Sequence, residues 1–336
     1  MQYTLTYADS SITVSSLGAE LQSLQRGGTE YLYQKKEGFW QRQSPVLFPI
    51  VGGLRDGKYM HNNKEYILSQ HGFARDREFT LIQDARCKMQ NEDSNIPVIA
   101  SESKTIHLPG NSLTFQLVSD EQTRSKYPFD FALTITYILN ESGLRVEYSV
   151  RNTGNEPLLF SIGGHPAFVI ESIDECSIRF EGEKDTLIVD RLEKGLLASS
   201  FVIPTKEESL SPQIMSENIS GSQKVNLEEI SDEMTKKHEY SLLLSESFFE
   251  KDAMIFRELH SQRITLQKKN QKTLEFDRGN FPHFALWKQP NAPFLCLEPW
   301  QGYADSVDAT GILSEKLGII SLGVGENMDF WWGVGV

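Results

Sequence analysis

The segment "FALTITYILNESGLRVEYSVRN", residues 131–152, has the clearest periodicity in the chain, and its period is two residues. In its second half the apolar residues Leu144, Val146, Tyr148 and Val150 alternate with polar residues. This alternation is typical of a β-strand with one buried face and one solvated face. The first half, "ALTITYIL", is also rich in strand-forming residues, and "NESG" between the halves supplies turn residues. The segment is therefore predicted to be a β-hairpin.

Short runs of the same kind recur along the chain and predict the fold class. They are "SITVSSL", "EYLYQ", "SLTFQLVS", "SIRFEG", "YSLLLS", "RITLQ", "FALW" and "FLCLEPW". Many short strands separated by turn residues predict an all-β protein, either an antiparallel β-sandwich or a barrel. Because no repeat and no clean linker divides the chain, one domain is expected, spanning residues 1–336.

Helical pattern is scarce. The best candidate for a helix lies within "LEEISDEMTKKHEY", residues 227–240. It belongs to a polar region, residues 203–240, which together with "RCKMQNEDSNIP", residues 86–97, is predicted to form solvated loops that hold much of the charge.

The composition excludes several classes of function. The formal net charge is −13, from 33 basic and 46 acidic residues, and nucleic acid is not an expected partner because phosphate binding needs a basic surface. The longest apolar stretch has 14 residues, whereas a bilayer needs about 20, so no membrane association is expected. The N-terminus does not resemble a signal peptide, and Cys87, Cys176 and Cys296 are widely spaced. A cytoplasmic protein with reduced thiols is expected.

No cofactor motif withstands inspection. "GGLRDGKY", residues 52–59, begins like a phosphate-binding loop, but Tyr59 stands where a hydroxyl residue would hold magnesium, and the residues that follow indicate a turn and a strand. The chain also lacks the G-x-S-x-G and H-E-x-x-H motifs. We therefore expect neither a cofactor nor a metal.

Three short segments combine ionisable side chains with glycine, proline and aromatic residues. They are "QHGFARDREF" at 70–79, "GGHPAF" at 163–168 and "CLEPWQG" at 296–302. Singly, each has a structural explanation, since a histidine can cap a turn or lie in the core. Glu298 is harder to explain in this way, because it ends an apolar strand and a carboxylate there needs a partner or a function.

Taken together with "SPVLFPIVGGLRDGKY" at 44–59, these segments resemble the aldose 1-epimerases, or galactose mutarotases, and most closely their LacX-like branch. The resemblance extends from about residue 40 to the C-terminus and includes "KLGIISLGVGENMDFWW" at 316–332. It implies a large antiparallel β-sandwich whose concave face binds an aldohexose such as galactose or glucose. It also implies that Glu298 is the general base, that His165 is the general acid, and that His71 and Arg75 lie in the sugar site.

One position departs from the pattern of the family. Many relatives have arginine directly after the "PIVG" stretch, where this chain has Gly53, with Arg55 two residues later. Residues two apart on a strand share a face, so Arg55 is a candidate substitute unless the region is a turn.

The implied reaction interconverts α and β anomers by opening the hemiacetal ring and closing it on the other face. One base takes the proton of the C1 hydroxyl while one acid protonates the ring oxygen, so no metal or organic cofactor is needed. Reference pKa values of about 4.3 for Glu and about 6.5 for His predict an ionised Glu298 and a protonated His165. Trp300 is either a stacking surface for the sugar or a core residue.

Two other functions remain open at this stage. One is a hexose-6-phosphate mutarotase, for which Arg75 is a candidate phosphate ligand. The other is a sugar-binding protein of the same fold without turnover. The sequence leaves the preferred sugar and the oligomeric state open.

Overall fold

A computed structural model describes residues 1–82, 105–107, 110–183, 187–203, 227–229, 239–257, 259–268 and 271–336. The predicted loop at 86–97 and most of the predicted loop region at 203–240 lie outside these residues, as does the middle of the predicted helix at 227–240. The two ends of that helix prediction are wrong, because residues 227–229 and 239–240 belong to strands.

The described chain is built almost entirely from strands. The first ten are β1 (Gln2–Tyr7), β2 (Ser10–Ser15), β3 (Leu21–Arg26), β4 (Thr29–Glu30), β5 (Val46–Leu47), β6 (Lys58–His61), β7 (Lys64–Ile67), β8 (Thr80–Ile82), β9 (Thr105–His107) and β10 (Ser112–Val118). One short helix, α1 (Glu121–Lys126), follows. The next strands are β11 (Phe131–Asn140), β12 (Gly143–Asn152), β13 (Leu158–Phe160), β14 (Ile162–Gly164), β15 (Ala167–Val169), β16 (Cys176–Glu181), β17 (Leu187–Glu193) and β18 (Leu196–Ile203).

The last nine strands complete the sheets. They are β19 (Leu227–Glu229), β20 (Glu239–Leu243), β21 (Met254–Arg257), β22 (Arg263–Lys268), β23 (Gln271–Asp277), β24 (His283–Trp287), β25 (Phe294–Gln301), β26 (Ile320–Leu322) and β27 (Asn327–Gly335). Short 3-10 turns lie at Arg55–Gly57, Ala74–Asp76, Ile173–Glu175, Glu246–Phe249 and Leu313–Glu315. No helix in the described ranges is long and apolar enough to cross a membrane.

Two large sheets dominate the topology. One has ten strands in the order β19-β20-β16-β22-β23-β27-β12-β11-β10-β8, and the other has eight, in the order β18-β17-β21-β24-β25-β14-β5 with β15 paired to β25. A five-stranded sheet, β4-β3-β2-β1-β9, and the pairs β13-β26 and β6-β7 complete the set. Strand pairing is antiparallel throughout, except between β1 and β9.

The predicted hairpin is confirmed as β11 and β12, which pair along their whole length inside the ten-stranded sheet. The turn begins at Asn140 and ends at Gly143, whose φ is 113°. A Cβ at Gly143 would lie 2.2 Å from the carbonyl oxygen of Val334 on β27, so only glycine allows this close approach. The residues predicted to face inward are buried, and those between them are half-buried or exposed.

Aromatic contacts show that the ten-stranded and eight-stranded sheets pack face to face. The ring centroids of Phe180 on β16 and Phe256 on β21 are 5.2 Å apart, and those of Phe276 on β23 and Phe284 on β24 are 5.7 Å apart. Each pair joins one sheet to the other, so the two inner faces form a common core. The predicted all-β antiparallel architecture is confirmed, and of the two alternatives it is the sandwich.

Strand β25 divides its side chains between two environments. Leu295 and Leu297 point into the core between the two large sheets. Because strand side chains alternate, Cys296, Glu298 and Trp300 point to the opposite face of the eight-stranded sheet. Cys296 and Trp300 belong to two smaller apolar clusters on that face. The fold therefore places Glu298 on an outer face that is nevertheless covered.

The hairpin offers a direct test of the sandwich core. Ile135 on β11 is fully buried, and Ile135→Ala is expected to lower the free energy of unfolding by about 2–5 kcal/mol, the cost of deleting buried methylenes and leaving a cavity. Thr134→Ala, at the next position on the other face, is the matched control and should change it by less than about 1 kcal/mol. Urea unfolding of both variants measures this, and equal losses would mean that the two faces are not distinguished as described.

Candidate functional site

His165 lies in register opposite Glu298. Strands β14 and β15 both pair with β25, through Gly163 opposite Trp300 and through Ala167 opposite Cys296. These two pairs belong to a single antiparallel register, and that register puts residue 165 across from residue 298. Side chains of opposed residues point to the same face, so the imidazole and the carboxylate meet. Their closest atoms, His165 Nε2 and Glu298 Oε2, are 3.3 Å apart.

The residues around His165 explain why this short segment adopts such a conformation. A Cβ at Gly163 would lie 2.9 Å from the Pro299 carbonyl oxygen, and one at Gly164 would lie 3.0 Å from the Trp332 indole nitrogen. Both glycines therefore allow close packing that a side chain would prevent. Pro166 cannot donate a ladder hydrogen bond, but its carbonyl accepts one from the Leu297 amide at 3.1 Å. The strand is interrupted at His165 without losing its register.

Glu298 is almost fully buried, with 1% of its surface exposed. The Trp300 indole N–H donates a hydrogen bond to Glu298 Oε2 at 3.2 Å, from two residues further along the same face of β25. On the neighbouring strand β24, the residue opposite Glu298 is Ala285, whose small side chain leaves room for the carboxylate. Trp300 is 2% exposed, so it is a core residue that touches Glu298 rather than a free stacking surface.

His71 is fixed by the backbone of Gly52. The Gly52 amide donates to His71 Nδ1 at 3.1 Å, and the His71 amide donates to the Gly52 carbonyl at 2.9 Å. Since Nδ1 accepts, the ring proton of neutral His71 lies on Nε2, and the Gln70 side-chain amide group 3.3 Å away accepts it when its oxygen is turned towards the ring. His71 itself has φ 64°, a left-handed conformation that orients the ring. The rings of His71 and His165 are 5.7 Å apart.

Arg75 lies in the 3-10 turn that follows His71. Its Nη2 donates to the Gln70 carbonyl at 2.7 Å, which ties the guanidinium back to the segment that carries His71. Arg42, which sequence reasoning missed, joins it: Arg42 donates to Asp76 at 2.6 Å and to the Arg75 carbonyl at 3.4 Å. The positive charges of both arginines act on His165. The site thus contains a pair of cations where the sequence indicated one.

Arg55 does not share a strand face with Gly53, which was the ground for considering it as a substitute. Its side chain is 40% exposed and pairs loosely with Asp56, and the segment 55–57 is a 3-10 turn rather than a strand. A Cβ at Gly53 would lie 3.1 Å from the Gly195 carbonyl, in the turn between β17 and β18. That turn occupies the space where a side chain of residue 53 would begin.

A groove of about 780 Å³ runs beside the site, and Gly53, Gln70, Lys126 and Lys194 are among the residues that line it. None of the four predicted site residues lines it. Gln70, which contacts the His71 ring, is the residue that the groove shares with the site.

Other residues of the site gave no sequence signal of their own. The rings of Trp40 and Trp287 lie 4.7 Å and 5.5 Å from the ring of His165, and both tryptophans are only half-buried. Asp252 lies close enough to raise the pKa of Glu298 and has the unusual φ of 125°. Strand alternation could have identified Trp287, because residues two apart on a strand share a face and Trp287 is two residues after Ala285 on β24. Trp40 and Asp252 lie in loops, where no periodicity applies.

Burial reverses the order of the two reference pKa values. It raises the pKa of Glu298 well above the usual range, an effect strengthened by the Asp252 carboxylate and opposed by the Trp300 hydrogen bond. Burial, reinforced by the charges of Arg75 and Arg42, lowers the pKa of His165 to about 3. Both shifts therefore favour a proton on Glu298 over a proton on His165. The directions of both shifts oppose the expectation of an ionised Glu298 and a protonated His165 in the free protein.

His71 is kept neutral by the same causes. Burial is the largest cause, followed by repulsion from His165 whenever that ring is protonated and by the positive charges of Arg75, Arg42 and Lys316. Together they lower the pKa of His71 well below its usual value. A neutral His71 is consistent with an Nδ1 that accepts the Gly52 amide.

Three residues of the candidate site have a buried polar atom without a hydrogen bond. Within the described ranges, four buried side-chain nitrogen or oxygen atoms have no hydrogen-bond partner, and three of them are Arg75 Nε, His165 Nδ1 and Glu298 Oε1. Buried polar atoms are normally paired, so a cluster of unpaired ones calls for an explanation, and a polar ligand is one. His165, Cys296 and Glu298 are also close enough together to bind a metal ion.

The sequence is similar to a family model and to a curated protein over most of its length. A sequence model of the aldose 1-epimerase family matches residues 1–311. The plasmid-encoded protein LacX of Lactococcus lactis subsp. lactis is 29% identical over 320 residues, covering 91% of this chain and 89% of LacX.

Solved structures extend the comparison to the fold. A galactose mutarotase related enzyme from Lactobacillus acidophilus superposes with a TM-score of 0.77 at 26% identity, covering 100% of this chain and 97% of that one. A galactose mutarotase-like protein from Lactobacillus casei has the same TM-score at 24% identity, covering 100% and 99% of the two chains. At 24% identity, the similarity to the Lactobacillus casei protein shows a shared fold and nothing more.

The protonation state of the site can be measured without knowing the substrate. The His165 imidazole is expected to stay neutral down to pH about 4, because its pKa is lowered to about 3, whereas an ordinary histidine titrates near 6.5. Nitrogen-15 NMR of labelled histidine reports this, with His165→Asn used to assign the resonance. A His165 midpoint between pH 6 and 7 would contradict the electrostatic description of the site.

Proposed function

This chain belongs to the aldose 1-epimerase family, and on that premise we propose that it interconverts the α and β anomers of an aldohexose such as galactose or glucose. Glu298 and His165 transfer the protons, and His71 and Arg75 hold the sugar hydroxyls. No cofactor is required, because the reaction consists of proton transfers and one ring bond that breaks and re-forms.

One observation carries the proposal more than any other: three of the candidate site residues have a buried polar atom without a hydrogen bond, namely Glu298 Oε1, His165 Nδ1 and Arg75 Nε. A pyranose presents several hydroxyl groups, each of which both donates and accepts a hydrogen bond. Such a ligand satisfies a carboxylate oxygen, an imidazole nitrogen and a guanidinium N–H at once, and an apolar ligand satisfies none of them.

Ring opening requires two proton transfers at neighbouring oxygens. Glu298 takes the proton of the C1 hydroxyl while His165 gives one to the ring oxygen, so the bond from C1 to that oxygen breaks and an aldehyde forms. Rotation about C1–C2 then presents the other face of the carbonyl. Ring closure reverses both transfers, and the two residues exchange roles.

The buried position of the pair favours this chemistry. Opening the ring converts an ionised Glu298 and a protonated His165 into a carboxylic acid and a neutral imidazole, which is the state that burial favours. The cyclic sugar in turn supplies a hydroxyl to the unpaired Oε1, and a hydrogen bond to the carboxylate favours its ionised form. Sugar binding therefore favours the ionised Glu298 with the protonated His165. Ring opening favours the protonated Glu298 with the neutral His165. The pair holds one proton in both states.

The aromatic residues supply the apolar side of the pocket. Trp40 and Trp287 are half-buried beside His165, so they offer the indole faces that the C–H surface of a pyranose can stack on. This role was considered for Trp300, which is instead covered and donates to Glu298.

A hexose-6-phosphate is the second candidate substrate, and the arginine pair favours it. Arg42 donates to the Arg75 carbonyl, and Arg75 Nε has no hydrogen bond and only a long contact of 4.0 Å to Asp76 Oδ2, so an anion could accept from it. Polarimetry on fresh α-anomers of galactose, glucose and glucose 6-phosphate separates the candidates. Acceleration of the free sugars supports the first proposal and acceleration of the phosphate alone supports the second. Saturable binding without acceleration would identify a sugar-binding protein.

Glu298→Gln tests the base directly. The amide keeps the shape of the side chain but cannot take a proton, so turnover should fall by about two to four orders of magnitude while sugar affinity changes much less. Polarimetry and calorimetric binding measure the two effects.

Glu183→Gln is the matched control for that variant. Glu183 is also buried, at 2% exposure, but it accepts hydrogen bonds from His260 and Ser261. Its loss should lower the melting temperature and leave turnover near normal. A folded Glu298→Gln protein with near-normal turnover would remove Glu298 from the mechanism.

The pH profile tests the Trp300 contact. The pair works only with one proton, so kcat/KM should fall at high pH when that proton leaves Glu298. The indole N–H lowers the pKa of Glu298, and Trp300→Phe removes that donor, so the alkaline limb should move to higher pH.

Trp332→Phe is the control for packing. Trp332 is buried to the same degree, but its N–H donates to Tyr148 at 2.8 Å instead of to the site. It should lower stability without moving the alkaline limb. An unchanged limb in Trp300→Phe would show that the indole does not set the titration of the pair.

A further inference from the structure

Cys296 is a buried thiol at the site that the proposed reaction does not use. It lies two residues before Glu298 on β25 and therefore on the same face of the sheet. Opposite it on β15 is Ala167, which directly follows His165–Pro166. Strand alternation and strand pairing thus bring a thiol, an imidazole and a carboxylate together.

The spacing of these three groups suits a metal ion. One ligand atom from each of His165, Cys296 and Glu298 lies within 4.8 Å of the others, and His165 Nε2 and Glu298 Oε2 are 3.3 Å apart. A tetrahedral zinc ion, with bonds of about 2.0–2.3 Å, separates its ligand atoms by about 3.5 Å. One pair already has nearly that separation, and the other separations are at most 4.8 Å.

The kinds of ligand atom indicate the class of ion. Nitrogen, sulfur and oxygen ligands in one set suit zinc and the softer cadmium, whereas calcium and magnesium prefer oxygen alone. Three protein ligands leave a fourth position open. His165 Nδ1 and Glu298 Oε1 are buried without partners, so a second nitrogen and a second oxygen are also available to an ion that enters from the sugar pocket.

We propose that His165, Cys296 and Glu298 form a binding site for zinc or cadmium, and that an ion bound there inhibits the enzyme. Binding releases the thiol proton of Cys296 and the carboxyl proton of Glu298 to solvent, and the thiolate and carboxylate balance the two charges of the ion. The complex is neutral, as a buried site requires. The ion occupies both proton-transfer groups, so it acts as an inhibitor and not as a cofactor. Only the inhibition rests on the proposed function.

Cadmium titration tests the binding independently of any activity. A cadmium thiolate has a charge-transfer absorption in the ultraviolet, and one equivalent per chain should produce it in a Cys87→Ser/Cys176→Ser protein, whose only thiol is Cys296. Adding Cys296→Ser should abolish the band, and Glu298→Gln should weaken the binding. A double variant that shows no saturable band would overturn the proposal.

Zinc inhibition tests the consequence. The parent and the Cys87→Ser/Cys176→Ser protein should lose turnover at the same zinc concentration. For Cys296→Ser, measured against its own zinc-free rate, half-inhibition should need at least about tenfold more zinc, since even the loss of a supporting group outside the ligand shell costs about 10–100-fold in metal affinity. Equal zinc sensitivity in Cys296→Ser would overturn the inhibitory role. A cadmium band in a protein that converts no sugar would preserve the metal site and refute the proposed function instead.

Discussion

The site depends on one constraint, the register of β25 against the interrupted strand formed by β14, His165–Pro166 and β15. Both flanking strands hydrogen-bond to β25 in the same register, so the position of His165 across from Glu298 is fixed by the backbone of a sheet rather than by a loop. The two glycines before His165 allow the close packing, and Pro166 ends the ladder without shifting it. The two side chains are thereby held on paired strands, which fix the separation of two groups better than loops do.

Much of this arrangement was predictable from local pattern, and the rest was not. The hairpin β11–β12 and the apolar strand that carries Glu298 follow from the local pattern within about ten residues, and a family resemblance suggested roles for His165, His71 and Arg75. The pairing of β25 with two strands more than 120 residues away is a long-range property that alternation does not encode. The turn that fills the space beside Gly53 and the loop position of Trp40 depend on the same long-range packing.

The electrostatics of the site show a second limit of sequence reasoning. Reference pKa values describe groups in water, and burial moves the pKa values of a carboxyl and an imidazole away from them in opposite directions. Burial favours the neutral forms of Glu298 and His165, and the arginines add to the effect on the histidine. Trp300 acts in the other direction, because its N–H stabilises the ionised carboxylate. Its position two residues from Glu298 is visible in the sequence, but its role is visible only once both side chains are known to be buried.

The division of β25 into two faces has a genetic consequence. Leu295 and Leu297 hold the sandwich together, while Cys296, Glu298 and Trp300 form the floor of the site, so point substitutions can alter one set with limited effect on the other. A codon inserted into or deleted from the segment encoding this strand would exchange the two sets from that point onward, moving a carboxylate into the core and a leucine into the pocket. Strand β25 therefore tolerates substitutions but not insertions or deletions. Substrate preference can change through substitutions in this strand and through insertions in the surrounding loops.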